Sequence, residues 1–392
     1  MRIVVVSDWY AEKMGYSENM LPKAMARLGA EVHLVTSNLQ PAFPNYESYE
    51  SFIGPRLQPI GAKHINGFTL HRLPHGLQRP GIYIKRFHKT LEKIQPDIVQ
   101  CLMIHSLCTY QSIISKFLLN YKLFLEEHTH WSVFEPPKSI KAKLSFMVLK
   151  VIGKTISANS EWCYAISSDV ARIAVNYFGY SQRKVKICSL GVDTDLFAPI
   201  ENEVQIQQRR AFRKRLGFDE SDIVCVYSGR FHSGKNPLCL AQAIKLLRKE
   251  DERFKGLFIG SGTPSEVEAI KQHQGCVIHP FVEHSGLVDF YRAADIGVWP
   301  KQESTSQLDL AACGLPIILS NRVETRERVD GNGLVYEEDD PEDLARQIRI
   351  LSDSHLRDRM GKIGSQKMRD HFSWSSIAKQ RLQDYDAALQ RP

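Results

Sequence analysis

The chain lacks paired cysteines, a membrane-length apolar run and a convincing set of metal ligands. Its eight cysteines stand apart along 392 residues, and none forms a C-x-x-C pair. That distribution argues against a disulfide framework and a zinc site, and it is typical of buried, reduced cysteines in the cytosol. The apolar run at the start ends at Asp8, which is too short for a signal peptide, and no stretch reaches the length of a membrane span. We therefore expect a cytoplasmic protein.

Excess positive charge is absent from the second half of the chain. Residues 1–195 carry 23 Lys and Arg against 15 Asp and Glu, net +8, whereas residues 196–392 carry 28 against 29, net −1. No aromatic-interleaved basic stripe or helix-turn-helix spacing accompanies the basic half, so nucleic acid is not an expected partner. The basic half is either an ordinary solvated surface or a surface for another anionic partner.

Length and periodicity predict two α/β domains. Short β-branched runs alternate with helical periods, the pattern of parallel sheets covered by helices. Helices are predicted at 18–28, 237–250 and 287–294, and a linker at 191–199. The predicted strands span 3–7, 31–36, 98–102, 122–125, 164–167 and 185–188 in the first half, and 223–227, 256–260, 277–279, 296–299 and 316–319 in the second.

Two cations lie at the junction after the predicted strand 223–227. Arg230 occupies the loop, and Lys235 follows five residues later, just before a helical pattern. Such a junction directs backbone N–H groups and the positive end of a helix towards one point, which favours a pyrophosphate. The alternative is a surface loop with two solvated cations.

Two carboxylates, Glu303 and Asp309, lie at a second junction of the same kind, within residues 299–316. Carboxylates accept hydrogen bonds from sugar hydroxyls, as cations bind phosphates. The two junctions together therefore predict a nucleotide-sugar site.

The combination resembles the retaining glycosyltransferases of family 4, the glycosyl transferases group 1, which have the GT-B fold. Similar motifs occur at 189–197, a hinge, at 258–262, and at 281–295, a base-binding turn and helix. The likeness covers most of residues 185–375 and is thinner before them. It implies an α/β fold with two doubly wound Rossmann-like domains facing a central cleft. Residues 1–195 would bind the acceptor, 196–372 the donor, and 373–392 would form a helix crossing back to the N-terminal domain.

The resemblance also implies roles for individual residues of the second half. Arg230 and Lys235 would hold the diphosphate and Glu303 the donor sugar. The ribose would bind Asp309, which holds the place of the family's second glutamate. The loop between the acids is two residues shorter than usual and has serine and threonine in place of glycines. Further donor contacts are expected from the backbone of Phe281 and Val282 to the base, and from the backbone N–H groups of Thr305, Ser306, Gln307 and Leu308 to phosphate.

In the first half, the resemblance implies that His128, at a strand end, contacts the donor sugar, with His105 and His130 as open alternatives. Gly15 lies between the first strand and helix, where the family usually has two adjacent glycines. It lets a donor phosphate or an acceptor approach the backbone closely. The alternative is a structural turn that leads into a helix capped by Ser17.

Two other motifs have simpler interpretations. The pair Gly260 and Gly262 lacks the third glycine of a dinucleotide fingerprint, so a tight turn is favoured. Asp193-Thr-Asp195 resembles a metal-binding D-x-D but lies in the predicted linker, so a turn is again favoured. We expect neither a metal nor a cofactor, since Arg230 and Lys235 supply the positive charge.

Residues 137–154 carry five lysines and no acid. An amphipathic basic helix of this kind can lie on an anionic membrane. It can equally cover the N-terminal sheet with its lysines outward. The +8 charge of the first half favours membrane contact, as a peripheral protein on the inner face.

The sequence therefore predicts a metal-independent retaining hexosyltransferase. It would move a sugar from a UDP- or GDP-sugar to a hydroxyl of a glycan or glycolipid acceptor, in polysaccharide or glycolipid synthesis. One alternative is a GT-B nucleotide-sugar epimerase or hydrolase, which would need a carboxylate or histidine base. Another is a non-catalytic nucleotide-sugar-binding protein.

Overall fold

The computed structural model describes residues 1–41, 46–78 and 81–391. The chain divides into two compact units, one formed by Met1–Leu190 with Trp374–Pro392 and the other by Gly191–Ser373. The first break comes five residues before the predicted boundary at 195. The reason is that Val192 N donates to Phe372 O (2.8 Å) and Phe197 is buried in the core of the second unit. Residues 191–195 therefore belong to the second unit.

The first unit has an eight-stranded sheet in the order β3-β4-β2-β1-β5-β6-β7-β8. Among the described pairings, β3–β4 is antiparallel and the others are parallel. The strands are β1 (Arg2–Ser7), β2 (Glu31–Ser37), β3 (Gly61–Ile65), β4 (Phe68–Leu73), β5 (Ile98–Leu102), β6 (Lys122–Glu127), β7 (Cys163–Ala165) and β8 (Val185–Ile187).

Helices cover both faces of this sheet. The apolar residues of β1 alternate between two cores, Ile3 and Val5 facing one and Val4 and Val6 the other, as the period of two in a strand requires. A strand buried on both faces is apolar throughout, which explains the continuous run at the start of the chain. The helices are α1 (Ser17–Arg27), α2 (Glu47–Ile53), α3 (Phe87–Ile94), α4 (Leu107–Lys116), α5 (Ile140–Ala158) and α6 (Ser168–Asn176).

The second unit has a six-stranded sheet in the order β11-β10-β9-β12-β13-β14, and its described pairings are all parallel. Its strands are β9 (Ile223–Ser228), β10 (Phe254–Ile259), β11 (Cys276–His279), β12 (Ile296–Trp299), β13 (Ile317–Ser320) and β14 (Gly333–Tyr336). Its helices are α7 (Glu203–Leu216), α8 (Pro237–Leu247), α9 (Pro264–Lys271), α10 (Leu287–Ala293), α11 (Ser306–Ala312), α12 (Pro341–Ile350) and α13 (Ser354–His371).

The last helix, α14 (Trp374–Leu389), belongs to the first unit. Trp374, Ile377 and Tyr385 pack into the core that also contains residues of α1 and β6. The described residues contain no helix that is both long enough and apolar enough to cross a membrane.

Two Rossmann-like units with parallel sheets confirm the predicted fold class. Three strands were not predicted: β3, β4 and β14. Strand β3 is exposed along most of its length and β14 is only partly buried, so neither has the apolar run that predicts a central strand. The predicted strand 164–167 ends early, at Ala165, because Ser167 precedes α6 as its N-cap residue.

Candidate functional site

In the second unit, the loops after β9, β10, β11 and β12 emerge at one edge of the sheet, because parallel strands end at the same edge. The loop after β9 is tied down on both sides of Arg230. Gly229 N donates to Ile259 O (2.9 Å), Phe231 N donates to Ser261 O (2.8 Å), and Tyr227 Oη donates to the carbonyl of Arg230 (2.8 Å). The backbone of Arg230 is therefore held while its side chain is exposed.

The loop after β10 approaches this backbone so closely that glycine is required. Gly260 has φ of +147°, and a Cβ placed on it would lie 2.0 Å from Gly229 O. A Cβ on Gly262 would lie 2.6 Å from Phe231 O. The two glycines thus allow packing beneath the Arg230 loop, which agrees with the tight turn favoured by the sequence.

Lys235 joins the cationic loop to the acidic loop. Its Nζ donates to the carbonyl of Glu303 (3.3 Å), and its side chain is half-buried. Burial lowers the pKa of Lys235 to about 8, with a further decrease from the charge of Arg230 and an opposing effect from Glu303. An anion bound here would stabilise the charged form of this lysine.

The acidic loop between β12 and α11 is held by side chains, although it contains no glycine. Arg328, which lies after β13, is 1% exposed and reaches this loop from below the surface. Sequence reasoning missed it. Three successive carbonyls accept a side-chain hydrogen bond: Gln302 O from Gln307 Nε2 (3.4 Å), Glu303 O from Lys235 Nζ (3.3 Å) and Ser304 O from Arg328 Nη1 (3.3 Å).

Two of the four predicted backbone donors of this loop are already engaged. Gln307 N donates to Ser304 O (3.3 Å), and Leu308 N donates to Thr305 O (2.9 Å). The reason is that α11 begins at Ser306, after a tight turn that uses these amides itself. The expectation that all of residues 305–308 offer N–H groups to a phosphate is therefore wrong for Gln307 and Leu308.

Asp309 lies in α11 and is 2% exposed. Its Oδ2 is 3.2 Å from Nε2 of His284, which belongs to a short 3₁₀ helix, His284–Gly286, after β11. The ring of His284 also contacts Phe197 edge-on, with centroids 5.0 Å apart. Sequence reasoning missed His284, although it stands two residues after Val282 in the predicted base-binding turn.

The predicted base-binding residues follow β11 in irregular backbone. The side chain of Phe281 is exposed, and the side chain of Val282 lies over Gly286 at the start of α10. The second unit thus places Arg230, Lys235 and the acidic loop at the same sheet edge as this turn.

In the first unit, His128 follows β6 and is anchored by that strand. Its Nε2 is 2.5 Å from Oε1 of the fully buried Glu126, and its backbone N donates to Glu127 Oε1 (3.1 Å). Burial acts to lower the pKa of His128, but the hydrogen bond and charge of Glu126 outweigh burial and raise it. The side chain remains 27% exposed.

The alternative histidines have different surroundings. His130 Nδ1 lies 3.2 Å from Oδ2 of Asp169, a carboxylate that also accepts a bond from Trp131 N (2.8 Å). His105 Nδ1 lies 2.8 Å from Tyr110 Oη, and burial lowers the pKa of His105.

The turn containing Gly15 leads into α1, and the predicted cap is wrong. Ser17 is the first residue of the helix, Tyr16 is the N-cap residue, and no described side chain caps this end. The carbonyl of Tyr16 instead accepts bonds from Asn19 N (3.0 Å) and Met20 N (3.1 Å). The predicted turn at Asp193-Thr-Asp195 is also present. The side-chain Oδ1 of Asp193 accepts a bond from Asp195 N (3.2 Å), and its backbone carbonyl accepts one from Phe197 N (2.8 Å).

Two Rossmann-like units, the second of which has a cationic and an acidic loop at one sheet edge, agree with the GT-B fold expected from the sequence. Family models agree: "Glycosyltransferase Family 4" matches residues 20–196 and "Glycosyl transferases group 1" matches residues 222–354. The chain belongs to the family 4, group 1 glycosyltransferases.

The relatives similar in sequence differ in how much of the chain they match. D-inositol 3-phosphate glycosyltransferase of Xylanimonas cellulosilytica is 30% identical over 62% of this chain and 61% of its own length. Spore coat protein SA of Bacillus subtilis is 25% identical over 56% of this chain and 63% of its own length. The match therefore spans about three fifths of these relatives. An uncharacterized glycosyltransferase of Methanocaldococcus jannaschii is 23% identical over 97% of both chains.

Solved structures share the fold at low identity. Sucrose-phosphate synthase from Thermosynechococcus elongatus has a TM-score of 0.74 at 19% identity, covering 100% of both chains. HepE from Anabaena, solved in complex with UDP, has a TM-score of 0.70 at 15% identity, covering 99% of this chain and 100% of its own.

Proposed function

We propose that this protein transfers a sugar from a nucleoside-diphosphate sugar to an acceptor hydroxyl, with retention of configuration and without a metal. One observation carries the proposal: Lys235 Nζ bonds the backbone of Glu303, which joins the cationic loop to the acidic loop. Phosphate oxygens and sugar hydroxyls are neighbours in a nucleotide sugar, so they need their partners side by side.

The second unit would bind the donor. Arg230 and Lys235 would hold the diphosphate and neutralise the charge that develops on the leaving group, an effect that is often the largest in catalysis. Glu303 would contact the sugar, Asp309 the ribose, and the backbone of Phe281 and Val282 the base. Thr305 and Ser306 retain their proposed role as backbone donors.

The first unit would bind the acceptor, His128 would contact the donor sugar, and Gly15 would let a donor phosphate or the acceptor approach the backbone closely. A phosphate oxygen of the leaving group would take the proton of the acceptor hydroxyl, so this scheme requires no carboxylate base. UDP is the first nucleotide to test, since HepE of the same fold was solved with UDP and with UDP-glucose. A glycan or glycolipid is the proposed acceptor class.

The deciding experiment measures release of nucleoside diphosphate from a panel of UDP-, GDP- and ADP-sugars, with and without candidate acceptors. Acceptor-dependent release that persists in excess EDTA supports the proposal. Loss of activity in EDTA, restored by Mg²⁺ or Mn²⁺, contradicts metal independence. Nucleotide binding without any turnover identifies a non-catalytic binding protein.

A nucleotide-sugar hydrolase or epimerase is the second candidate, and the His128–Glu126 pair favours it. A carboxylate that accepts from an imidazole is the arrangement of many general bases, which this candidate needs and transfer does not. Acceptor-independent formation of free sugar or of an epimeric nucleotide sugar in the same panel would select it.

Donor binding is expected to depend on pH through Lys235. Because burial lowers its pKa to about 8, the free protein loses this proton as pH rises through that value, whereas the diphosphate requires the charged lysine. The affinity for the nucleoside diphosphate should be constant near pH 7 and fall by up to about tenfold per pH unit above pH 8. Calorimetry from pH 6.5 to 9.5 measures it. In a Lys235→Arg variant the fall should disappear, and a flat wild-type profile would contradict the assignment.

We further propose that α5 docks the protein on an anionic membrane, where a lipid-linked acceptor would be presented. Of the nineteen described residues of α5, only three are buried, and the helix packs on the core of the first unit through its C-terminal end, with Ile152 and Ile156. The five lysines of residues 137–154, four of which lie in α5, are all exposed. The exposed apolar side chains lie at helical spacing: Ile140, Leu144, Met147, Val148 and Val151.

This surface combines the two features that bind interfacial helices, an apolar ridge and flanking lysines. Each lysine near an anionic surface contributes about 1 kcal/mol, within a Debye length of about 8 Å. The protein is expected to sediment with phosphatidylserine vesicles at low salt and to be released by high salt. Replacing Leu144 and Val148 by Glu, or Lys141 and Lys143 by Glu, should each abolish sedimentation.

The matched control places the same charge change on α7 of the second unit, with Lys214 and Arg215 replaced by Glu. It should sediment like the wild type. Wild-type protein that stays in the supernatant at low salt would show that α5 is ordinary surface and would favour a soluble acceptor.

A further inference from the structure

A buried ion pair connects the last helix to the candidate site of the first unit. Glu126 at the end of β6 and Arg381 in α14 are both 0% exposed, and Arg381 Nη1 donates to Glu126 Oε2. Gln100 Nε2 donates to the same oxygen (3.1 Å). The guanidinium of Arg381 also lies over the ring of Tyr164, 4.3 Å from its centroid.

The other oxygen of this carboxylate is used differently. Glu126 Oε1 faces His128 Nε2 at 2.5 Å, so one carboxylate is held by Arg381 and in turn holds the imidazole. Among the neighbours of Glu126, the guanidinium of Arg381 does most to lower the pKa of its carboxyl. Burial alone would raise the pKa of this carboxyl, yet with Arg381 and His128 beside it the pKa is lowered to about 2. Arg381 and His128 together therefore favour the anionic form of Glu126 at neutral pH.

Stability alone does not account for such an arrangement. A buried ion pair loses its hydration on folding, and well-packed apolar residues of similar volume are often as stable or more so. Two further nitrogens of Arg381, Nε and Nη2, are buried without a hydrogen-bond partner among the described residues, which adds to the cost. The pair is better explained by what its carboxylate does at His128.

Other titratable groups also face His128. Glu18 of α1 is 4% exposed, and burial raises its pKa to about 7. Glu127 contributes a second carboxylate from β6, and both acids favour the protonated imidazole. Tyr164 and Tyr385 flank Arg381 and stay neutral, because burial raises the pKa of each phenol.

We infer that Arg381 and Glu126 are positioning residues for His128: Arg381 fixes the carboxylate of Glu126, which holds the imidazole by Nε2 and presents its Nδ1 edge to the ligand. Among the described residues, Nδ1 has no hydrogen-bond partner. The inference rests on the proposed function for its effect on turnover. It assigns to the C-terminal helix, some 250 residues away in sequence, a role in the site beyond covering the core.

The first test is a double-mutant cycle on turnover of the nucleotide sugar. Arg381→Met in the wild-type background is expected to lower kcat/KM by about tenfold or more, with partial recovery in Arg381→Lys. In a His128→Asn background, Arg381→Met should change kcat/KM by less than about twofold, because the residue through which it acts is gone. If Arg381→Met lowers kcat/KM by the same factor in both backgrounds, the two residues act independently and the inference is overturned. A His128→Asn variant as active as the wild type would also overturn it.

Lys186→Met is the matched control. Lys186 pairs with Asp384 at 2.5 Å and so anchors α14 to β8 without touching Glu126 or His128. It should leave kcat/KM within about twofold of the wild type in both backgrounds. A loss equal to that of Arg381→Met would show that any weakening of α14 has the same effect, and would overturn the inference.

The second test needs no activity and separates this inference from the proposed function. The ring of His128 is titrated by NMR, its signals being assigned by their loss in His128→Asn. The wild-type ring should titrate above the usual pKa of histidine. In the near-isosteric Glu126→Gln variant its pKa should fall, because the anion is lost while burial and Arg381 remain. If no sugar is transferred but this fall is seen, the proposed function fails and the positioning stands. An unchanged ring pKa would overturn the positioning.

Discussion

A Lys235→Met variant is expected to lose at least about 100-fold in kcat/KM for the nucleotide sugar, with its fold intact. The side chain places a half-buried cation between Arg230 and the acidic loop, and methionine keeps its length while removing the charge. Stabilisation of the leaving diphosphate should therefore be lost, and Arg230→Ala should act in the same direction. Steady-state kinetics with the donor selected by the panel measures the effect, and circular dichroism checks the fold.

The matched control is Lys301→Met, on the same acidic loop. Lys301 pairs with Asp339 at 2.7 Å, so its charge is already used at a different place. It should retain kcat/KM within about threefold of the wild type. Turnover near the wild-type level in both Lys235→Met and Arg230→Ala would refute the diphosphate assignment.

Gly260→Ala is expected to destabilise the second unit by on the order of 3 kcal/mol or more. The backbone of Gly260 has φ of +147°, and a methyl group there would lie 2.0 Å from the carbonyl oxygen of Gly229. To relieve this overlap, either the loops that follow β9 and β10 must move apart or the two strands must shift. Because Gly229 precedes Arg230, nucleotide affinity should fall together with stability. Urea unfolding and calorimetric titration measure the two effects.

Gly217→Ala provides the control for backbone strain alone. Gly217 ends α7 with φ of +81°, and nothing lies within 4 Å of the position of a Cβ. Its cost should be about 1 kcal/mol, with unchanged nucleotide affinity. Equal losses of stability in the two variants would mean that the contact with Gly229 is not what requires glycine at position 260.

The local features of the site were predictable because they depend on short stretches of chain. The central strands β1 and β9 are covered on both faces, so their apolar runs are visible in the sequence. The position of Lys235 just before α8 follows from a strand, a short loop and a helix in succession. Edge strands such as β3 lack that signal, since most of their side chains face water.

The predictions for the cap of α1 and for two backbone donors failed because backbone N–H groups bond to backbone carbonyls there. Ser17 was expected to cap α1, but the helix begins at that residue. Gln307 and Leu308 were expected to offer their amides, but a tight turn before α11 occupies them. Such choices depend on where a helix begins to within one residue, and periodicity does not define that limit.

The sequence by itself determined that this chain forms two Rossmann-like units with cations after one strand and carboxylates after another, because strand runs, loop lengths and helix starts are local. Only the tertiary structure decided how the charged groups are held. His284 reaches Asp309 across 25 residues, Arg328 reaches the acidic loop across 24, and Arg381 reaches Glu126 across 255. Each contact joins segments brought together by packing of the sheets and helices, so no local pattern predicts it.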